Sequence, residues 1–200
     1  MKGTLDFDLT ISCDELSSLT WNIDGSYAVH EDMKGQSGSI LMIGRNAILS
    51  KSNKQKVNTQ SSTETELIAV NDVLPTVQWA SLFMRDQGYD LETIIKENNR
   101  STMLLLKNGR LSSGKRTKHL NIRYFYAQDL IQRGIVKIEH CKTEDMIADF
   151  FTKPLQGERF RILRDVILNR ETISDSQYKS VLGNSNVKNI VNTEKVDRPV

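Results

Sequence analysis

The chain has 200 residues, of which 38% are hydrophobic and 26% are charged. This length suits one domain with a buried core, and the composition excludes a collagen, a membrane bundle and a wholly disordered chain. Lys and Arg number 27 against 25 Asp and Glu, so the net charge of +2 does not by itself attract nucleic acid. Any such binding must depend on local patches.

Cysteine usage and the first residues indicate where the protein works. Cys13 and Cys141 have no partners at zinc-ligand spacing, so we expect neither a structural zinc site nor a disulfide framework. The first residues lead into an alternating pattern rather than an apolar run, so we expect no signal peptide and no transmembrane helix. These features favour an intracellular, cytoplasmic protein without a membrane partner.

The first third of the chain predicts β-strands. Residues 19–26 alternate between apolar and polar side chains, which places Asp24 on the polar face. Residues 39–43 and 47–50 follow, joined by a turn-forming Gly-Arg-Asn sequence. Three antiparallel strands are therefore expected here.

Helical periodicity begins after residue 60. A long helix is predicted from the cluster Ser61-Ser62-Thr63, which can cap it, to Gly88, which can end it. The further predicted elements are a strand at 91–95, a helix at 101–106, a basic loop at 111–119, a helix at 121–132, a strand at 135–141 and a helix at 143–151. The order βββαβααβα describes a mixed sheet with helices on its faces.

Three carboxylates are candidates for a site, and each has a structural alternative. Asp24 stands late on its strand before a glycine, and it suits a turn-initiating residue equally well. Glu66 lies on the helix stripe that should face the sheet, where a carboxylate must be paired, protonated or bound to metal. Spacing alone favours a capping box of Thr63 and Glu66 instead. Asp149, taken alone, is typical of a solvated helix residue.

Three blocks of sequence carry a family resemblance. Residues 54–67 read K-Q-K-V-N-T-Q-S-S-T-E-T-E-L, residues 115–119 read K-R-T-K-H, and residues 145–155 read D-M-I-A-D-F-F-T-K-P-L. A fourth, weaker block at 21–28 reads W-N-I-D-G-S-Y-A. Together, over roughly residues 21–168, they resemble the ribonuclease H domain of copia-type retrotransposon Pol polyproteins.

The resemblance implies a fold and a division of the chain. The implied fold is α/β and ribonuclease H-like, with a five-stranded mixed sheet of three antiparallel and two parallel strands and helices on both faces. Residues 18–170 would form this domain, and residues 1–17 would be a remnant of the preceding reverse transcriptase module. Residues 171–200 lack sustained periodicity and are expected to form a mobile C-terminal tail.

The resemblance also implies a catalytic metal site. Asp24, Glu66 and Asp149 would hold two Mg²⁺ ions, or Mn²⁺ as a substitute, with Asp24 bridging both. Asn98 falls where the family has an aspartate, and its carbonyl oxygen carries no charge. The neighbouring Glu97 is charged, but strand alternation is expected to point it away. We therefore expect impaired cleavage of the RNA strand of RNA/DNA hybrids, with fold and hybrid binding retained.

A basic segment is the candidate nucleic-acid contact. Its charges alone favour a solvated loop over a nucleic-acid contact. With the family resemblance, contact with phosphates and a solvated loop are about equally favoured. Its members are Lys115, Arg116, Lys118 and His119. The implied partners are an RNA/DNA hybrid and the reverse transcriptase module of the same polyprotein, in the cytoplasm or in virus-like particles.

Three functions of different classes stay open from the sequence. The first is a metal-dependent endoribonuclease acting on RNA/DNA hybrids, active or impaired. The second is a catalytically inactive module of a decayed Pol polyprotein that binds nucleic acid or docks on the polymerase. The third, an unrelated acidic-site nuclease or integrase of the same fold, is the least favoured because the motif blocks resemble ribonuclease H.

Overall fold

The computed structural model describes residues 6–12, 16–108 and 121–170, with only the backbone for residues 121–124. Its strands are β1 (Ser18–Ser26), β2 (Lys34–Ile43), β3 (Asn46–Asn58), β4 (Glu92–Glu97) and β5 (Lys137–His140). Its helices are α1 (Ser62–Asp86), α2 (Arg100–Asn108), α3 (Asn121–Gln132), α4 (Asp149–Thr152) and α5 (Gly157–Ile167). The predicted strands and the first three predicted helices are all present, and most are longer than predicted.

The five strands form one mixed sheet in the order β3-β2-β1-β4-β5. Strands β1, β2 and β3 pair antiparallel, whereas β4 pairs parallel with both β1 and β5. The predicted sheet of three antiparallel and two parallel strands is confirmed. Because β1 and β4 are parallel neighbours, their carboxyl ends meet at one edge of the sheet.

Apolar side chains cover both faces of the sheet, and burial of this surface is the main stabilising contribution to the fold. One face packs beneath α1, α2 and α3 through a cluster that includes Leu19, Trp21, Ile23, Leu67, Val70, Ile95, Leu106 and Leu130. The other face packs against the C-terminal segment through Ile40, Met42, Ile147, Leu163 and Val166. Helix α1 is long and apolar enough to cross a membrane by length and composition, and its packing on the sheet accounts for that character.

Helix α1 is capped two residues earlier than the predicted capping box. The Ser61 hydroxyl oxygen accepts a hydrogen bond from the Glu64 N–H at 3.2 Å, and the Glu64 carboxylate accepts one from the Gln60 N–H at 2.7 Å. The capping alternative that spacing favoured for Thr63 and Glu66 is therefore wrong. Glu66 lies two residues past Glu64, outside this reciprocal pair, and is left for another role.

The C-terminal part of the domain differs most from the prediction. The single helix predicted at 143–151 is wrong, because the chain forms a short 3-10 turn at Thr143–Asp145 and then the four-residue helix α4. Met146 between them is extended, with φ −73° and ψ 103°, and it is completely buried. Burial of consecutive apolar side chains at 146–148 pulls this stretch into the core and breaks the helix. Helix α5 was not predicted at all.

Residues 7–12 lie against the domain rather than apart from it. The Thr10 N–H donates to the Leu168 carbonyl oxygen at 3.1 Å, and the Ser12 N–H donates to Asn46 Oδ1 at 2.7 Å. The division at residue 17 stays a prediction. The predicted tail at 171–200 and the whole of the predicted basic loop at 111–119 lie outside the described residues.

Candidate active site

Four buried carboxylates from four elements meet at the carboxyl ends of β1 and β4. Asp24 is late in β1 and 1% exposed, Glu66 is near the start of α1, and Asp149 is the first residue of α4. Glu97, the last residue of β4, is 0% exposed. The charge of Asp24 acts on each of the other three, so the three predicted carboxylates are brought together and a fourth is added.

Two glycines allow helices to approach β1 from both faces of the sheet. A Cβ on Gly25 would stand 2.9 Å from the Thr65 carbonyl oxygen, so only glycine lets the first turns of α1 lie against the end of β1. A Cβ on Gly38, which pairs with Asp24, would stand 2.6 Å from the Thr152 side chain. These two close approaches put carboxylates of α1 and α4 on either side of Asp24.

Gly25→Ala is expected to lower both stability and any activity of this site. The added methyl group meets backbone atoms of α1, which cannot move aside as a side chain can, at a cost of about 1–3 kcal/mol in the free energy of unfolding. Gly134→Ala is the control, because a Cβ there meets nothing within 4 Å and only its φ of +69° is strained, at about 1–2 kcal/mol. Urea denaturation should show comparable losses for both variants, with activity lost only in Gly25→Ala. Equal activity of the two variants would contradict this account of Gly25.

On the α4 side of the site, one hydroxyl group and one ammonium group contact the carboxylates. The Thr152 hydroxyl donates a hydrogen bond to Asp24 Oδ2. The Lys153 ammonium lies 2.6 Å from Asp149 Oδ1 and 3.7 Å from Asp24 Oδ1, so it sits between the two carboxylates. Sequence reasoning gave neither residue a role. The signal was available, because both belong to the T-K-P-L end of the third motif block.

The α1 side of the site holds two carboxylates that lack a full set of partners. The Gly25 N–H lowers the pKa of Glu66 against the effect of burial, and Glu97 Oε1 accepts a hydrogen bond from the Asn99 N–H at 2.8 Å. Glu66 Oε2 and Glu97 Oε2 are both buried and have no hydrogen-bond partner among the described residues. Buried oxygens of this kind normally have partners, so these two call for an explanation.

The expectation that Glu97 points away from the site is wrong. Strand alternation itself holds, because Glu97 follows Thr93 and Ile95 on one buried face of β4. That face is covered by the start of α1, where Glu66 lies, and α2 closes over it with its buried Thr102. Asn98, predicted to occupy the position of a catalytic aspartate, stands just beyond β4 and is half-buried.

The crowding of carboxylates shifts their protonation. Burial, followed by the charges of Glu97 and Asp24, raises the pKa of Glu66 to about 10. Burial raises the pKa of Glu97 to about 8, against the opposing N–H groups of the next turn. Burial also raises the pKa of Asp149, although its hydrogen bond with Lys153 opposes the rise. For Lys153, burial lowers the pKa, but Asp149 and Asp24 outweigh it and the net shift is upward.

The donor set fits divalent metal ions of the Mg²⁺ type. Its side chains offer only carboxylate oxygens, which hard cations prefer, and two of these oxygens are orphaned and buried. As the side chains stand, no group of three or more His, Cys, Asp or Glu in the described part of the chain is arranged to hold an ion. The Lys153 ammonium lies between Asp24 and Asp149 and supplies a positive charge there.

The basic candidate residues cannot be placed relative to this site. Lys115, Arg116, Lys118 and His119 lie outside the described residues. Their contact with nucleic acid stays a prediction.

Comparison with known sequences finds relatives in transposons. No family model matches the chain. The chain is 29% identical over 164 residues to the retrovirus-related Pol polyprotein from transposon RE2 of Arabidopsis thaliana, and 30% identical over 154 residues to that from transposon RE1 of the same plant. The alignments cover 80% and 76% of the chain, but only 11% and 10% of these relatives. The chain thus spans about a tenth of the length of the polyproteins it matches.

Comparison with solved structures identifies the fold. LC11-RNase H1, isolated from compost, matches with a TM-score of 0.51 at 14% identity, over 68% of this chain and 93% of that one. The same protein in complex with an RNA/DNA hybrid matches with a TM-score of 0.50 at 13% identity, over 68% and 94%. The predicted ribonuclease H-like fold is confirmed.

Proposed function

Since the chain has the ribonuclease H fold and is homologous to part of the Pol polyproteins of transposons, we propose that it hydrolyses the RNA strand of RNA/DNA hybrids with two divalent metal ions. The observation that carries the proposal is the meeting of buried carboxylates from β1, α1 and α4 around Asp24. LC11-RNase H1, which has the same fold, is known in complex with such a hybrid.

The chain's own residues supply the binding and orientation that this reaction needs. Asp24, Glu66 and Asp149 would hold Mg²⁺ or Mn²⁺. When bound, the two ions would supply activation of a water and stabilisation of the charge on the leaving oxygen. Thr152 orients Asp24 through its hydroxyl group, and the close approach of α1 to Gly25 positions Glu66. These fixed contacts preorganise the carboxylates, so less reorganisation is needed during the reaction.

The proposed partners follow from the same function. An RNA/DNA hybrid would contact the segment of Lys115, Arg116, Lys118 and His119 through its phosphates, and this contact would weaken with salt. The reverse transcriptase module of a copia-type Pol polyprotein would be the covalent neighbour. The proposed place of action is the cytoplasm or a virus-like particle assembled there.

A second candidate function is favoured by Asn98. A neutral amide at the position where the resembling family has an aspartate attracts divalent ions less than a carboxylate does. An impaired nuclease, or an inactive module that still binds hybrid or docks on a polymerase, is the alternative that follows.

Cleavage of a labelled RNA/DNA hybrid in Mg²⁺ and in Mn²⁺ separates the two candidates. We expect the chain as it stands to cleave the RNA strand and Asp149→Asn to lose that cleavage, with salt-sensitive hybrid binding retained in both. Asn98→Asp is expected to raise the rate if a missing carboxylate limits it. Hybrid binding without cleavage in every variant would support the inactive module. Cleavage of duplex DNA in place of the hybrid would refute both.

A further inference from the structure

We propose that Glu97 supplies the carboxylate that Asn98 lacks, so that the site keeps four acidic ligands, one of them taken from the preceding position of the chain. This inference rests on the proposed function, because it concerns the ligands of the same metal ions. The sequence predicted a site that lacks one carboxylate, whereas this inference gives a site in which the fourth carboxylate comes from a different residue.

The burial of Glu97 is the first argument. A carboxyl group that is 0% exposed at the end of a strand is costly to ionise unless a cation or several donors compensate its charge. Among the described residues no lysine or arginine forms an ion pair with Glu97, whereas Lys153 serves both Asp24 and Asp149. Glu97 is thus a buried acidic side chain without a cation of its own.

The orientation of Glu97 is the second argument. Its Oε1 is held by the Asn99 N–H, while Asn99 Oδ1 in turn caps α2 by accepting from the N–H groups of Ser101 at 3.0 Å and Thr102 at 3.1 Å. This turn fixes the Glu97 side chain so that its Oε2 is buried and has no hydrogen-bond partner. The Glu97 carboxylate is close enough to Asp24 for the charge of Asp24 to raise its pKa. Glu66, on the adjacent α1, has an unpartnered Oε2 of its own. Two orphaned carboxylate oxygens from neighbouring elements are what a divalent cation would satisfy.

A purely structural role for Glu97 is the alternative, in which the side chain only braces the turn before α2. The substitution Glu97→Gln separates the two readings. A glutamine keeps an oxygen that can accept from the Asn99 N–H, and it loses only the charge. Glu139→Gln is the matched control, because Glu139 lies on the adjacent strand β5, is exposed and pairs with Lys96 away from the cluster.

The test measures Mn²⁺ binding to the full chain by calorimetry and by electron paramagnetic resonance, alongside hybrid cleavage. Glu97→Gln is expected to weaken Mn²⁺ binding at least about tenfold and to reduce cleavage, whereas Glu139→Gln should match the unsubstituted chain. Moving the charge to the next residue, in the double variant Glu97→Gln with Asn98→Asp, should restore Mn²⁺ binding. Circular dichroism and hybrid binding confirm that each variant is folded.

The outcomes separate this inference from the proposed function. Mn²⁺ binding by Glu97→Gln that equals the unsubstituted chain would overturn the role of Glu97, even if hybrid cleavage is established. Failure of the unsubstituted chain to bind any Mn²⁺ would overturn it as well. If Mn²⁺ binding depends on Glu97 but the hybrid is not cleaved, the result would support Glu97 as a metal ligand and contradict the proposed function.

Discussion

Asp24→Asn is expected to abolish most hybrid cleavage and, at the same time, to make the chelated protein harder to unfold. The loss should be about a hundredfold or more, the scale seen when one preorganised electrostatic contact to a transition state is removed. The gain is expected above about pH 8, where Glu97 ionises: the charge of Asp24 raises the pKa of Glu66, Glu97 and Asp149 behind the larger effect of burial, so its removal makes these groups less costly to ionise. We expect roughly 0.5–2 kcal/mol in the free energy of unfolding.

The shape of the side chain is preserved in this variant, which makes the test specific to charge. Asparagine still offers an oxygen to the Thr152 hydroxyl, and Lys153 keeps Asp149 as its partner. Initial rates on a labelled hybrid and urea denaturation in EDTA measure the two effects. Asp90→Asn, an exposed loop carboxylate between α1 and β4, is the control and should change neither. Full cleavage by Asp24→Asn would remove Asp24 from the proposed site, and a lower stability would show that its charge supports the fold.

The sheet and most of its helices could be predicted because their signals are local. Alternation at residues 19–26 and the apolar stripe of α1 both survive in the structure. The capping box shows where local reasoning fails, because Ser61 with Glu64 and Thr63 with Glu66 both match the same spacing. In the structure Ser61 is the N-cap, and the residues after it approach Gly25 closely, a tertiary contact that the pattern does not contain.

Glu97 shows a different limit of prediction from sequence. Alternation holds in β4, where Glu97 shares a face with Thr93 and Ile95, but alternation says nothing of what covers that face. The covering depends on how α1 and α2 dock, for instance where the Thr102 hydroxyl meets the Thr63 carbonyl oxygen at 3.4 Å. A residue interpreted as pointing away from the site therefore points beneath a neighbouring helix that carries part of it.

The break before α4 also has a functional consequence. The interruption places Asp149 at the start of a one-turn helix, so Lys153, four residues later, reaches back to its carboxylate. The same turn aims the Thr152 hydroxyl at Asp24. The continuous helix that periodicity predicted over 143–151 does not by itself imply these contacts of Lys153 and Thr152. The motif block located the residues, and only the fold shows that they act as a set.

In the absence of divalent ions, the protein is expected to lose stability as pH rises from about 4.5 to about 8. In the unfolded chain Glu66 and Glu97 have the ordinary pKa of 4.5, whereas in the folded protein their pKa values are about 10 and about 8. Between these limits the unfolded chain has released protons that the folded protein still holds, so higher pH favours unfolding. Each group contributes a slope of up to ~1.4 kcal/mol per pH unit, and Glu66 extends the effect toward pH 10.

Two other charged groups near Glu66 and Glu97 also affect how the free energy of unfolding changes with pH. The raised pKa of Asp149 acts in the same direction, and that of Lys153 becomes relevant only above its ordinary range. Urea denaturation in EDTA at several pH values between 5 and 8.5 should show the decline. The double variant Glu66→Gln with Glu97→Gln should flatten it, because both titrating groups are gone.

Divalent ions should reverse this trend in the unsubstituted protein. Cations that bind only the folded state stabilise it by mass action, by about 2.7 kcal/mol at a concentration one hundred times the dissociation constant. They also replace the protons that Glu66 and Glu97 would otherwise keep, so the stabilisation by Mg²⁺ or Mn²⁺ should grow as pH rises. A decline with pH that is equal with and without these ions would mean that the carboxylates titrate without binding metal. A flat profile in EDTA would mean that Glu66 and Glu97 are not held protonated in the folded protein.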